Sequence, residues 1–139
     1  MRLVLDTNVL VSGLLWNGIP SALLDAARIG EIELFTSTRL LAELAGILTR
    51  AKFAKALAAT GLPREALVLG YAELAAIVQP APIPLTIAVD PSDDQVLACA
   101  LAASADLIVS GDKHLLAFGG QYQGIPIVTP TQAVPIIDR

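Results

Sequence analysis

The sequence predicts a three-layer α/β domain with a mainly parallel central sheet of about five strands. Short apolar segments rich in Leu, Ile and Val alternate with longer segments that have helical spacing. Most of the short segments lack the polar alternation of half-exposed strands, as is typical of parallel strands covered on both faces. A regular alternation of such strands with helices is the pattern of an α/β domain.

The elements follow in chain order. The predicted strands are residues 2–5, 32–35, 85–89, 107–110 and 126–129. Helical patterns lie between them at residues 20–29, 37–49, 52–60, 63–78 and 92–104, and a short one follows Asp112. Pro20 near the start and Gly30 just past the end delimit the first helix, and Ser37 can cap the second. We expect the consecutive helices between residues 35 and 78 to form a small bundle at one end of the sheet.

Length and composition indicate one domain, residues 1–139, that needs no disulfide or zinc for stability. The lone Cys99 fits a reducing compartment. Asp6 interrupts the first apolar run too early for a signal peptide, and no apolar run reaches the ~18–20 residues of a membrane helix. We therefore expect a cytoplasmic protein with no membrane partner. The net charge of −4 argues at first against a nucleic-acid binder.

Acidic residues follow three predicted strands, where α/β sheets bind their ligands. Asp6 follows the first strand and Asp112 follows the fourth, while a dense acidic turn follows the third, formed by Asp90, Asp93 and Asp94. Glu43 lies at the border of the apolar stripe of its helix and can reach toward the same edge.

Each acid also has a structural interpretation. Asp6 and Asp112 can be helix N-caps, the acidic turn can complement a helix dipole, and Glu43 can pair with Arg39. Four converging carboxylates, however, would repel one another unless a cation lay between them. Carboxylate oxygens select Mg²⁺ or Mn²⁺, and a chain with one His and one Cys offers no zinc cluster. A pair of such ions suits phosphodiester hydrolysis.

Four ordered motifs span the chain: Asp6-Thr7-Asn8, Glu43 on its helix, Asp93-Asp94-x-x-Leu97-Ala98 and Val109-Ser110-Gly111-Asp112. Together they resemble the PIN domain, and most closely the stand-alone prokaryotic VapC-like proteins. The resemblance implies that Asp6, Glu43, Asp94 and Asp112 bind Mg²⁺ or Mn²⁺ and cleave RNA. Asp94 rather than Asp93 matches the third acid, since Leu97 and Ala98 follow at +3 and +4. Asn8, Asp90, Asp93 and Ser110 would be auxiliary.

Charge is unevenly distributed along the chain. Residues 39–64 contain five basic residues and one acid, although the whole chain is acidic. These side chains can be ordinary solvated helix faces or can guide a phosphate backbone toward the acids. The candidate substrate-binding residues are Arg39, Arg50, Lys52 and Lys113.

The sequence therefore predicts a Mg²⁺- or Mn²⁺-dependent endoribonuclease. The resemblance implies the toxin component of a type II toxin–antitoxin pair, which dimerises and is blocked by an antitoxin protein. Two alternatives remain open: an inactive PIN module that binds RNA or a protein partner, and a haloacid-dehalogenase-like phosphatase. Asn8 disfavours the phosphatase, which usually has an Asp two positions after the first.

Overall fold

The computed structural model describes residues 1–82, 91–116 and 120–138. The predicted strand 85–89 and Asp90 lie outside these ranges. The strands are β1 (Arg2–Leu5), β2 (Glu33–Thr36), β3 (Ala76–Ile77), β4 (Leu107–Val109), β5 (Gln121–Tyr122) and β6 (Ile125–Val128). The helices are α1 (Thr7–Leu15), α2 (Ile19–Arg28), α3 (Thr38–Ile47), α4 (Ala54–Ala59), α5 (Arg64–Leu74), α6 (Pro91–Ala103), α7 (Lys113–Leu116) and α8 (Pro130–Ile137), with a 3-10 turn at Ala51–Phe53 before α4.

The six strands of the described chain form one sheet in the order β3-β2-β1-β4-β6-β5. β1 lies in the centre and pairs in parallel with both β2 and β4, so that Leu3 is opposite Leu34 on one side and Leu107 on the other. Among the described strands, only β5, at one edge, runs antiparallel to its neighbour. The predicted mainly parallel sheet is confirmed, and the carboxyl ends of β1, β2, β4 and β6 meet at one edge.

Alternate residues of the central strands supply two separate cores. Leu3 and Leu5 pack on one face with α1, α2, α3, α5 and α8. Val4 packs on the other face with α6 and α7. Full burial of one such aliphatic side chain contributes about 1.5–3 kcal/mol of transfer free energy. A sheet with an apolar core on each face explains the lack of polar alternation in the sequence, and it confirms the three-layer prediction.

A sharp corner joins α1 to α2, whose axes differ by 87°. Gly13 permits this packing, because a Cβ there would lie 3.0 Å from both Leu24 Cδ1 and the Pro20 carbonyl oxygen. α2 ends at Arg28, and Gly30 lies just past its end as predicted, with φ +82°. The Gly30 N–H donates to the Ala27 carbonyl at 3.1 Å and the Glu31 N–H to Ala26 at 2.9 Å, which closes the helix end.

No single helix in the described ranges is long and apolar enough to cross a membrane, and only the bent pair α1 and α2 has that length and composition jointly.

Some elements differ from the prediction. The helix predicted to continue to residue 78 ends at Leu74, and the chain turns into β3 because the Val78 N–H pairs with the Thr36 carbonyl at 2.9 Å. α1, β5 and α8 were not predicted. Three consecutive helices, α3, α4 and α5, lie between residues 35 and 78 as predicted, and α3 packs against α5.

Candidate functional site

The ends of β1 and β4 fix two residues of the predicted site side by side. The Asp6 N–H donates to the Val109 carbonyl at 2.9 Å, and the Ser110 N–H donates to the Val128 carbonyl at 2.8 Å. Both bonds continue the pattern of the parallel sheet beyond the strands themselves. The backbone at this edge is therefore held by three adjacent strands.

Asp6 is buried and has two side-chain hydrogen bonds. Its Oδ1 accepts from the Val9 N–H at 3.0 Å, which caps α1, and its Oδ2 accepts from the Ser110 hydroxyl. The structural interpretation of Asp6 as a helix cap is thus confirmed. The cap leaves this carboxylate at the carboxyl edge of the sheet, so capping and site roles are compatible.

The electrostatic setting of Asp6 is unfavourable to its charge. Burial raises the pKa of Asp6 above its ordinary value of 3.8, the hydrogen bonds from Ser110, Val9 and Asn8 lower it, and the nearby charge of Asp112 raises it. Burial is the largest of these causes, since it removes water from the ionised form. A positive charge near this carboxylate would relieve the cost.

Ser110 connects Asp6 to Asp112. Its fully buried hydroxyl donates to Asp6 and accepts from the Asp112 N–H at 2.9 Å. A hydroxyl has a single proton to donate. Because Ser110 accepts from the Asp112 N–H, it can give that proton to the Asp6 carboxylate. The predicted auxiliary residue therefore holds one acid directly and the other through its backbone.

A cavity of about 380 Å³ opens beside Asp6. Its walls come from α1, α3 and α6, and α3 packs against both of the others. The lining residues are Asp6, Thr7, Asn8, Glu43, Ile47, Arg50, Asp93 and Val96. We call this cavity the acidic cleft. It brings Asp6, Asn8 and Glu43 together as the sequence predicted, and Glu43 is half-buried on its wall.

Asp93 and Asp94 occupy different positions around α6, although both are buried. Within the described residues, Asp93 lines the acidic cleft and Asp94 does not. Successive helical residues are rotated by about 100°. Among the described residues, Val96, three residues after Asp93, lines the cleft with it, and Leu97, three residues after Asp94, does not, although both side chains belong to the same buried core. The rotation of residues around α6 therefore favours Asp93 as the acid that faces the cleft. The motif spacing that favours Asp94 takes no account of this rotation.

The predicted basic residues separate into one in the cleft and three outside its lining. Arg50 is the one lining residue with a positive charge among those described. Arg39, Lys52 and Lys113 are exposed, and the Lys52 ammonium lies 5.0 Å from the centre of the Phe53 ring. Thr7, Ile47 and Val96 were not predicted to line a site. Their only signal is proximity in sequence to Asp6, Glu43 and Asp93.

The donor chemistry of the cleft fits a hard divalent cation. Three of its side chains offer carboxylate oxygens and Asn8 offers an amide. Among the described residues, no group of three or more His, Cys, Asp or Glu is already arranged to hold a metal ion. Mg²⁺ commonly keeps several waters and needs only one or two carboxylates together with substrate phosphates. The residues therefore fit such an ion without a complete protein cage.

Comparison with known families gives a match over most of the chain. A model of the PIN domain matches residues 2–114, which extends from β1 into α7 and includes every acid of the predicted site. A comparison with curated proteins finds no match.

Proposed function

This chain belongs to the PIN-domain family, and on that premise we propose that it is a Mg²⁺- or Mn²⁺-dependent endoribonuclease. PIN domains are generally nucleases and typically use divalent metals. The observation that carries the proposal is the acidic cleft, in which Asp6, Glu43 and Asp93 line one cavity at the carboxyl edge of the sheet. Their common position supports hydrolysis of a phosphodiester at this point.

Asp6 and Asp93 are the proposed metal ligands. Asp112, whose charge acts on Asp6, is the proposed third acid of the metal site. A divalent cation bound there would lower the pKa of a water and stabilise the leaving oxygen. Ser110 orients Asp6, because its hydroxyl donates a hydrogen bond to that carboxylate. Glu43, which is half-buried on α3, is the proposed acceptor for the proton of the attacking water. Asp94, which the motif spacing predicts as the third acid, is buried in the first turn of α6, and the present proposal gives the ligand role to Asp93 instead.

Arg50 is the proposed phosphate-binding residue of the cleft. Its guanidinium offers donors for phosphate oxygens, and a cation opposite three acids lowers the repulsion between the cleft and an RNA backbone. Arg39, Lys52 and Lys113 are exposed and are proposed only as longer-range contributors. Binding of RNA to an acidic protein is then explained by local rather than total charge.

The proposed biological setting is a cytoplasmic toxin that an antitoxin protein blocks and that forms homodimers. The resemblance to VapC-like proteins supports this finer proposal. Induced expression should stop growth of the host, and coexpression of a small protein encoded next to this chain should restore it. Normal growth on induction of a chain that cleaves RNA in vitro would contradict the toxin role alone.

The nuclease proposal is tested on total cellular RNA and on a single-stranded DNA of matching sequence. We expect discrete RNA fragments with Mg²⁺ or Mn²⁺, full loss of cleavage in EDTA, and recovery when Mn²⁺ is restored. Mapping the fragment ends gives the cut site. Equal cleavage with and without EDTA would contradict the metal-dependent mechanism, and cleavage of DNA only would contradict the substrate.

A further inference from the structure

A second cavity borders α1 and shares Asn8 with the acidic cleft. Its volume is about 410 Å³, and its walls include Asn8 and Ser12 of α1, Pro20 of α2, Gly111 and Asp112 after β4, and Pro130 of α8. We call it the proline cavity. Neither the acidic cleft nor its proposed chemistry uses Ser12, Pro20 or Pro130.

We propose that the proline cavity binds the base of the nucleotide next to the cleaved phosphate. This inference rests on the proposed nuclease function. It assigns a binding site for a nucleobase, and it divides the substrate between two cavities: the phosphate in the acidic cleft and a neighbouring base in the proline cavity.

The residues that line the two cavities show that the cavities are neighbours. Asn8 lines both of them. Asp112 lines the proline cavity and is linked through Ser110 to Asp6 in the acidic cleft. A nucleic-acid strand extends on both sides of the phosphate that is cut. A neighbouring nucleoside must therefore lie beside the acidic cleft, where the proline cavity is found.

The lining chemistry fits a base better than a phosphate. No Lys or Arg lines the proline cavity within the described ranges, and the Asp112 carboxylate repels an anion. The faces of Pro20 and Pro130 and the side chain of Val9 offer apolar contact to a flat ring. The Asn8 amide and the Ser12 hydroxyl can form hydrogen bonds to the edge of a base, and Asp112 can accept from an exocyclic amino group.

The wall of the proline cavity at Gly111 also leaves room for a ring. A Cβ built on Gly111 meets no atom within 4 Å, so this part of the backbone is open to a ligand. Ser12, in contrast, is half-buried on the α1 wall. Enlarging Ser12 is therefore the most direct way to fill the cavity while leaving the acids unchanged.

The first test measures binding in Asp6→Asn protein, which prevents cleavage. The probe is a fluorescein-labelled RNA of about ten nucleotides around the mapped cut site, a length within the usual range of single-stranded binding sites. A second probe lacks the base next to the cleaved phosphate. We expect the complete RNA to bind about five- to tenfold more tightly than the abasic RNA, since loss of the hydrogen bonds of one base has an effect of about this size.

Ser12→Phe and the smaller Ser12→Leu should abolish this preference, so that the complete and the abasic RNA bind with about the same affinity. The matched control is Ala66→Phe, which fills a different cavity between α1, α2 and α5 and is also half-buried. The control should keep the full preference. If Ser12→Phe and Ser12→Leu melt like their parent and still prefer the complete RNA, the proposed base site is wrong.

A second measurement uses the unsubstituted chain and needs no variant to fold. RNAs with one abasic position at each successive nucleotide are cleaved with Mn²⁺. We expect cleavage to fall about tenfold or more only when the missing base adjoins the cut. Equal cleavage at all abasic positions would contradict the base site but not the nuclease. No cleavage of any RNA would contradict the nuclease function and the base site together.

Discussion

Acidic residues occupy both ends of the central strands, in opposite electrostatic settings. At the amino end, Asp106 Oδ2 accepts from the Arg2 N–H at 2.7 Å. The Arg2 side chain donates to the Ala103 carbonyl at 2.8 Å and lies 4.6 Å from the centre of the Phe35 ring. At the carboxyl end, Asp6 is buried near a second acid, which raises its pKa. Asp106 is an exposed acid that joins two strands, whereas Asp6 carries a charge whose burial is unfavourable for the fold.

This difference distinguishes an acid that serves the fold from one that serves a ligand. Asp106 accepts a hydrogen bond from the first backbone N–H of β1. Asp6 gains two hydrogen bonds, yet burial and Asp112 oppose its ionisation. A cation in the acidic cleft would offset that cost, which is why matched substitutions at the two ends should have opposite effects.

The largest expected effect is on cleavage. Asp6→Asn should lower the rate of RNA cleavage about 100-fold or more, a loss of about 3 kcal/mol in transition-state stabilisation. Asp106→Asn should cleave within about twofold of the parent, because its amide oxygen can still accept from Arg2. Initial rates on the mapped RNA with saturating Mn²⁺ measure both. Similar losses of cleavage rate in Asp6→Asn and Asp106→Asn would contradict the distinction between an acid that serves a ligand and one that serves the fold.

A smaller effect separates the two neighbouring acids of α6. Asp93→Asn should lower cleavage about tenfold more than Asp94→Asn, because only Asp93 lines the acidic cleft in the described structure. Both acids are buried, so thermal melting of each variant is the control for folding. A larger loss in Asp94→Asn, with both variants folded, would favour the motif spacing over the helical phase.

The smallest effect concerns stability in EDTA. A folded-state pKa of Asp6 above 3.8 means that its stabilising contribution is complete below pH 3.8 and is lost as pH rises through the folded-state pKa. Asp6→Asn removes the charge and keeps a capping side chain. It should melt about 2–5 °C above the parent at pH 7, with the difference closing toward pH 4.

Asp106→Ala is the stability control, and it should melt about 2–5 °C below the parent at pH 7 because the Arg2 backbone bond is lost. The measurement is circular dichroism during heating at several pH values. A melting temperature of Asp6→Asn below that of the parent at neutral pH would contradict the unfavourable setting of this carboxylate.

Much of the fold could be predicted, because the two-sided core leaves a direct mark on the strands. Leu3, Val4 and Leu5 alternate between the two cores and are all apolar, so β1 has no polar alternation. The same reasoning found β4. Adjacent parallel strands also explain why Asp6 and the loop that holds Ser110 and Asp112 could be placed together from the sequence.

Other elements left no periodic signal. α1 is buried along much of its length at Val9, Leu10, Val11 and Leu15, so it shows no clear polar face. β3 has only two residues, which is too short to establish an alternating pattern. α8 contains Pro135, a residue that usually ends a helix. The choice between Asp93 and Asp94 depends on the rotation of α6 about its axis, which side-chain spacing alone does not determine.

The central position of β1 has a consequence for the order in which the protein is completed during synthesis. Asp6 and the Ser110 hydroxyl that holds it are 104 residues apart. β1 can pair with β2 early, but its other edge stays open until β4 has been made. A growing chain therefore has Asp6 long before it has Ser110 and Asp112. Translation itself would delay nuclease activity, and a chain cut short before β4 would expose an unpaired strand edge prone to association.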